Sequence, residues 1–352
     1  MIRALAAVAL VLVVPAASGG PRRAVEPNVV VWSFVAAART HDAQIEVTWR
    51  SPDNVAVRSR DPDFRSFVQR GGTLYEAALG PSAGAVTRRT YSARPDAYSL
   101  AEELLGNEVD FVLAEARAGK LRLHDTTTST GAPPDWTANI LLRANDCAGL
   151  RGTAATVIID RPTLLPLGIR SRRGITSIDY YGRINARTPA SAFRIPDVGR
   201  AYRRDQGFVR TSPARAAGPL PYVPELPTAL PKGFKLAVSG WARRSGRTGP
   251  EASNPRYPYL FGAVYRRGWE RIDVTQRLAG KQGWLSDPFG IECGFQVGGP
   301  VRVGGVQAFY GAGPEIAPHL YWRRGRLLYT VSGPLPKRDL VAIAESLEPL
   351  GR

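Results

Sequence analysis

Cys147 and the histidines at 41, 124 and 319 are the side chains with which this 352-residue chain could run nucleophilic chemistry. A thiol attacks only after a neighbouring base takes its proton, so Cys147 would need His41 or His124 beside it in the fold. Nothing in their spacing pairs them. Two cysteines and three histidines are too few for a four-Cys zinc or iron–sulfur site, and there is no H-E-x-x-H helix. The nucleophile elbow G-x-S-x-G is missing, and so is the dinucleotide pattern G-x-G-x-x-G. Gly298-Gly299 and Gly304-Gly305 lack the lysine and hydroxyl that a phosphate loop requires, and read as punctuation between short strands. The inventory therefore points away from catalysis, with no catalytic residue, metal site or cofactor expected. Cys147 and Cys293 are a candidate disulfide, which would close a very long loop and contribute about 4–5 kcal/mol on the entropic model. Two buried thiols, or pairing with a partner, are the alternatives.

Lys and Arg number 47 against 30 Asp and Glu, a formal charge of +17. Of the cations, 42 are Arg and five are Lys. Outside the cytoplasm such a surface meets anionic lipid headgroups and acidic envelope polymers rather than nucleic acid, so peripheral contact with an anionic membrane is one expectation. An arginine-biased genome would produce the same skew without any ligand. Aromatic–basic clusters recur at Tyr202-Arg203-Arg204, Trp241-Ala242-Arg243-Arg244, Tyr265-Arg266-Arg267 and Trp322-Arg323-Arg324. They read either as headgroup grips or as strand ends running into solvated turns. His124, beside Asp125 and a run of hydroxyl residues, reads as part of a polar loop.

The elements come next. Arg3, an apolar run over 4–14 and small residues over 15–20 make a signal peptide of residues 1–20, too short to span a bilayer. An uncleaved anchor followed by Arg22 and Arg23 is the alternative. A first domain over 21–200 is strand-rich. Ile45, Val47 and Trp49 alternate with polar residues, Val55 and Val57 resume after a turn, and residues 67–70 and 73–76 flank Gly71-Gly72 as a hairpin. Further strands are expected at 140–143, 154–160, 169–172 and 175–181. Ser99 and Glu102 form a capping box opening one helix, and residues 109–118 form a second, closed by Gly119. A Pro-rich linker is expected over 201–226. The second domain, 227–352, is again α+β. Its strands are expected at 236–241, 260–265, 269–275, 301–303, 308–310, 320–322 and 327–332. It ends in a helix with a Leu340, Ile343, Ala344, Leu347 stripe. Tyr265-Arg266-Arg267-Gly268 and Trp322-Arg323-Arg324-Gly325 each read as a hairpin tip.

Two sets of residues resemble a known family. In the first domain they are Val47-Thr48-Trp49-Arg50, Ser51-Pro52-Asp53, the Gly71-Gly72-Thr73-Leu74-Tyr75 hairpin, and Val157-Ile158-Ile159-Asp160 running to Leu164-Leu165-Pro166-Leu167. Their order resembles the LolA-type lipoprotein-carrier superfamily. In the second, Leu230-Pro231-Lys232-Gly233-Phe234-Lys235-Leu236, Tyr265-Arg266-Arg267-Gly268, residues 329–336 and Ile343-Ala344-Glu345-Ser346-Leu347 are similar to the C-terminal domain of MucB/RseB-type proteins. The resemblance implies an α+β chain: a LolA-like antiparallel half-barrel sheet with covering helices, then a smaller α+β domain. It implies a protein that senses lipid or lipoprotein and regulates the extracytoplasmic domain of an anti-sigma factor. The alternative is a periplasmic carrier of lipid or lipoprotein. Departures are the insert over 243–258 and the absence of an acid from the Tyr265–Gly268 turn. Acyl chains gain about 0.8 kcal/mol per buried CH₂. The candidates for lining their cavity are Val47, Trp49, Val55, Val57, Phe67, Leu74, Ile140, Leu142, Val157 and Ile159.

Overall fold

In a computed structural model of the chain, the described residues are 29–37, 42–50, 54–59, 67–70, 73–77, 86–90, 108–126, 135–142, 153–171, 178–184, 190–194, 208–244, 258–279, 299–313 and 316–351. The fold is α+β, and the strand pairs are antiparallel throughout both large sheets. Residues 1–20, the capping-box helix and both cysteines lie outside the described residues.

The first sheet has 11 strands. In chain order they are β1 (Val29–Ala37), β2 (Asp42–Arg50), β3 (Asn54–Ser59), β4 (Phe67–Arg70), β5 (Thr73–Ala77) and β6 (Val86–Thr90). After helix α1 (Glu108–Arg117) come β7 (His124–Asp125), β8 (Trp136–Leu142), β9 (Thr153–Ile159), β10 (Pro166–Ser171) and β11 (Ile178–Ile184). The spatial order is β6-β5-β4-β3-β2-β1-β11-β10-β9-β8-β7. Two meanders thus meet at β1, which pairs with β2 on one side and β11 on the other. β6 and β7 stand at opposite edges, so the sheet is open. The sequence reading missed both β1 and β6. The run Val29-Val30-Val31-Trp32 has no period-2 alternation, which is what a strand at the centre of a sheet looks like when both its faces are apolar.

The second sheet has 8 strands in the order β12-β14-β15-β16-β20-β19-β18-β17. They are β12 (Phe208–Arg210), β14 (Lys235–Arg244), β15 (Pro258–Arg267), β16 (Glu270–Leu278), β17 (Gly299–Val303), β18 (Val306–Gly313), β19 (Ile316–Arg324) and β20 (Leu327–Ser332). Both expected hairpin tips are present, with Gly268 and Gly325 at φ of 62 and 59. Its core gathers Phe261, Ile272, Val274, Leu320, Trp322, Tyr329 and Val331 beneath helix α3 (Lys337–Glu345), which contributes Leu340, Ile343 and Ala344. The apolar stripe read as one helix through Leu347 is divided. α3 stops at Ser346, whose carbonyl accepts from Thr228 N–H and whose hydroxyl accepts from Ala229 N–H. Leu347 then belongs to β21 (Leu347–Pro349), paired with β13 (Glu225–Pro227).

That pairing corrects the expected linker over 201–226. Its described part contains β12, the short helix α2 (Pro213–Ala217) and the start of β13. Ser212 caps α2, and Ala216 and Leu220 enter the second core. Tyr222 OH lies 2.8 Å from the Tyr259 carbonyl and 2.7 Å from that of Gln276, and accepts the Phe261 N–H. Glu225 is buried against Arg324 and Tyr329 OH. The prolines suppress periodicity without preventing burial, because these residues are fixed by side-chain hydrogen bonds rather than by an amphipathic repeat.

Candidate functional site

Antiparallel partners point to the same face, so the register fixes which residues share one. Phe34 stands opposite Ile45 and Tyr180, and Tyr180 opposite Ile169, which faces Val157. Val157 in turn faces Ala138. In the other direction Trp49 stands opposite Val55, Val47 opposite Val57, Val57 opposite Phe67, and Gln69 opposite Leu74. Following these pairs across the sheet places all of Val47, Trp49, Val55, Val57, Phe67, Leu74, Ile140, Leu142, Val157 and Ile159 on one face. Phe34 and Trp32 of the unforeseen β1 fall on the same face between them. The sequence pattern had united these positions only within each strand.

Among the described residues, the two halves of the sheet are packed on opposite sides. On β8 and β9 the candidate face is buried: Ala138, Ile140, Ala155, Val157 and Ile159 are enclosed while Asn139 and Ala154 behind them are exposed. α1 packs on β9 there and buries Val109, Val112 and Leu113, an i, i+3, i+4 stripe. A Gly119 turn at φ 73 ends it, with Lys120 N–H donating to the Glu115 carbonyl at 2.9 Å. On β3 and β4 the packed segment is the 3-10 turn Ala190–Phe193, on the other face, against Ala56 and Val68. Arg58 holds that turn by donating to the Ser191 and Ala192 carbonyls at 3.0 and 3.3 Å.

α1 also touches the second sheet, at β18 and β19. Phe111 packs against the second core. Arg117 donates to the Pro334 carbonyl and pairs with Glu270, which is 2% exposed. Glu270 is held from its other side by Arg267 at 2.7 Å, and Arg267 stacks over the Phe234 ring at 4.5 Å. Asp110, one turn before Ala114 on α1, is hemmed in by this cluster. Some of its surface stays open, yet the loss of solvation around its carboxyl pushes the pKa up to about 7. Arg271 and Arg117 oppose that rise, while Glu270 and Asp273 add to it. Sequence reading missed these residues. The available signal was an acid, Asp110, and a base, Arg117, on a helix whose other residues are mostly apolar.

The remaining expectations fall as follows. His124 lies on the exposed edge strand β7, and His319 is fully buried with Nδ1 2.8 Å from the Ala317 carbonyl. His41, Cys147, Cys293 and the Tyr202 cluster lie outside the described residues. Trp322 and Tyr265 are buried core residues, while Arg323 and Arg324 after Trp322 are exposed. Tyr310 and Tyr329 hydroxyls are both pushed up to about 12 by burial. Among the described residues no group of three His, Cys, Asp or Glu is placed to hold a metal, and no helix is long and apolar enough to cross a membrane.

Fold and site together define an open-sheet α+β protein with a helix that touches both of its sheets; the face that carries the ten candidates also carries Gln69, Glu76 and Arg89 by register. No family model matches the sequence, and no curated protein matches it. Among solved structures it is similar to the MucA/MucB complex of Pseudomonas aeruginosa, at 13% identity over 93% of this chain and 95% of that one, TM-score 0.35. It is also similar to MucB crystallised alone, at 14% identity over 93% and 94%, TM-score 0.35. A second MucB complex, with MucA(peri), gives 14% over 92% and 94%, TM-score 0.32. Likenesses this distant carry no argument about what the chain does.

Proposed function

We propose that this chain is an exported, non-enzymatic binding protein that takes an acyl chain of a lipid or lipoprotein on the apolar face of its first sheet and regulates a membrane-anchored partner. The observation that supports it most is the register: ten positions chosen as a cavity lining fall on one face of one open sheet. An acyl chain laid on that face gains about 0.8 kcal/mol per CH₂, enough for a long chain to bind without any polar anchor. On this reading the half-barrel curves over the β2–β5 half, with α1 closing the β8–β9 end. The two sheets then correspond to two domains, the first ending near 200. The partner part of the proposal follows the sequence resemblance to MucB/RseB-type proteins, whose partner is the extracytoplasmic domain of an anti-sigma factor.

A carrier that only ferries lipid or lipoprotein is the second reading. The clamp of Arg117 on Glu270 favours the regulator, because a carrier needs only the first sheet, whereas here α1 is tied to both.

The test is native mass spectrometry with lipid extraction on residues 21–352 purified from their own envelope. Co-purifying acyl species are expected, and Trp49→Asp or Leu142→Asp removes them while the far-UV circular dichroism is kept. A clean apo mass with no uptake of added fatty acid or lipopeptide overturns the lipid reading. Competition between the lipid and an anti-sigma extracytoplasmic domain separates regulator from carrier.

A further inference from the structure

Two hairpins emerge side by side from one end of the second sheet. β17 turns at Gly304-Gly305 into β18, and β19 turns at Gly325 into β20; since β18 and β19 are antiparallel neighbours, both tips lie at the same end. Gly304, Gly305 and Gly325 have φ of 53, 82 and 59, and a Cβ at any of them would meet nothing within 4 Å. The tips are bare. Around them Arg302, Arg323, Arg324 and Arg326 are all exposed. Arg302 stands opposite Gln307, and the pairing of Ala308 with Trp322 puts Gln307 beside Arg323. The two arginines therefore share a face two strand spacings apart, roughly 10 Å.

Each guanidinium is braced by its own turn. Arg302 donates to the Gly305 carbonyl at 3.1 Å and Arg323 to that of Gly325 at 2.8 Å. Arg324 is held by Glu225 and lies 4.9 Å from the Tyr329 ring centre. A second carboxylate, Glu345, accepts the Gly304 N–H. Between 299 and 332 the sequence carries one acid, Glu315, in the connection between the far ends of β18 and β19. This end thus presents four exposed arginines, with Glu225 and Glu345 the carboxylates recorded against it.

We propose that this arginine-tipped end is a docking surface for the anionic headgroups of a phospholipid bilayer. A protein partner needs a buried apolar or aromatic anchor, but the apolar residues nearest the tips, Val306 and Leu327, are already half-buried in the sheet. A headgroup layer asks only for cations presented together, and arginine meets phosphate oxygens with a two-pronged fork. Bare glycine tips let a planar surface approach without a side chain in the way. The contact rests on the export proposed above. It involves no acyl cargo, so the two readings fail separately.

The test is cosedimentation of residues 21–352 with phosphatidylglycerol-containing vesicles and with pure phosphatidylcholine vesicles. Binding to the first and not to the second is expected. The triple variant R302Q/R323Q/R326Q, which spares the Arg324–Glu225 pair, is expected to lose about a hundredfold in partition, at roughly fivefold per arginine. A matched variant elsewhere, R161Q/R210Q/R215Q, keeps most of the binding. Equal loss in both triple variants, or equal binding to neutral vesicles, overturns the proposal. So does displacement by polyglutamate at charge-equivalent amounts, which assigns the surface to an acidic polypeptide. Should the triple variant not fold, the single reversal R323E carries the same comparison.

Discussion

Glu270 is a carboxylate with almost no solvent, held between Arg117 from α1 and Arg267 from its own hairpin. Breaking a buried pair costs more than the pair contributes, because the abandoned charge cannot be hydrated. Arg117→Met leaves Arg267 in place, so the expected loss is about 2 kcal/mol rather than the ~3–5 kcal/mol of a fully orphaned charge. Urea unfolding measures it, and amide exchange should report faster opening in α1. Asp110 supplies the pH dependence. Its pKa in the folded protein, about 7, lies above the ordinary value of 3.8, so the folded state holds the proton more tightly than the unfolded one. The resulting stability is complete below about pH 4 and is lost as pH rises to about 7. Asp110→Asn should flatten that stretch of a melting-temperature profile and raise stability at pH 8. A profile unchanged by the substitution would refute the assignment.

At the scale of elements, α1 is the piece most dependent on its surroundings. None of its ten residues is exposed, which for an isolated helix of that length would be a poor design in water. It is stable because one side meets β9 and the other meets the end of the second sheet. That end is tightly closed. Gly333 lies just past β20, and a Cβ there would come 2.8 Å from the Arg271 carbonyl and 3.2 Å from Ile272 Cγ1. Gly333→Ala should therefore destabilise the protein by about 1–3 kcal/mol, by pushing β16 away from β20. Denaturant midpoints measure this. If packing around α1 depends on that end, the variant should also weaken the effect of Arg117→Met, the non-additivity expected of neighbours.

On the scale of the whole molecule, the described residues pack differently on the two sheets. The second carries a core under α3, while on the first α1 packs at β9 and the 190–193 turn packs on β3 and β4. The acyl site proposed above lies on the first sheet, and the acyl-uptake experiment tests it. The cation-rich end of the second sheet gives the molecule a direction relative to an anionic surface, which the vesicle experiment addresses.

Local chemistry determined much of this from the residues alone. The alternation of Ile45, Val47 and Trp49, Gly268 and Gly325 after their arginine pairs, and the stripe of Leu340, Ile343 and Ala344 each describe an element whose period or turn is written within a few residues. The α+β class was legible in the same way. Tertiary structure decided what depends on partners far away in sequence. β1 is recognisable only from its two neighbours, β2 and β11, which pair with it from distant parts of the chain, and Leu347 leaves its helix because Thr228 and Ala229 capture Ser346. The proline-rich residues before Pro227 are drawn into a core by Gln276 and Arg324. Above all, no spacing rule joins Arg117 to Glu270, because a salt bridge between distant residues is set by the geometry of the fold and leaves no period in the sequence.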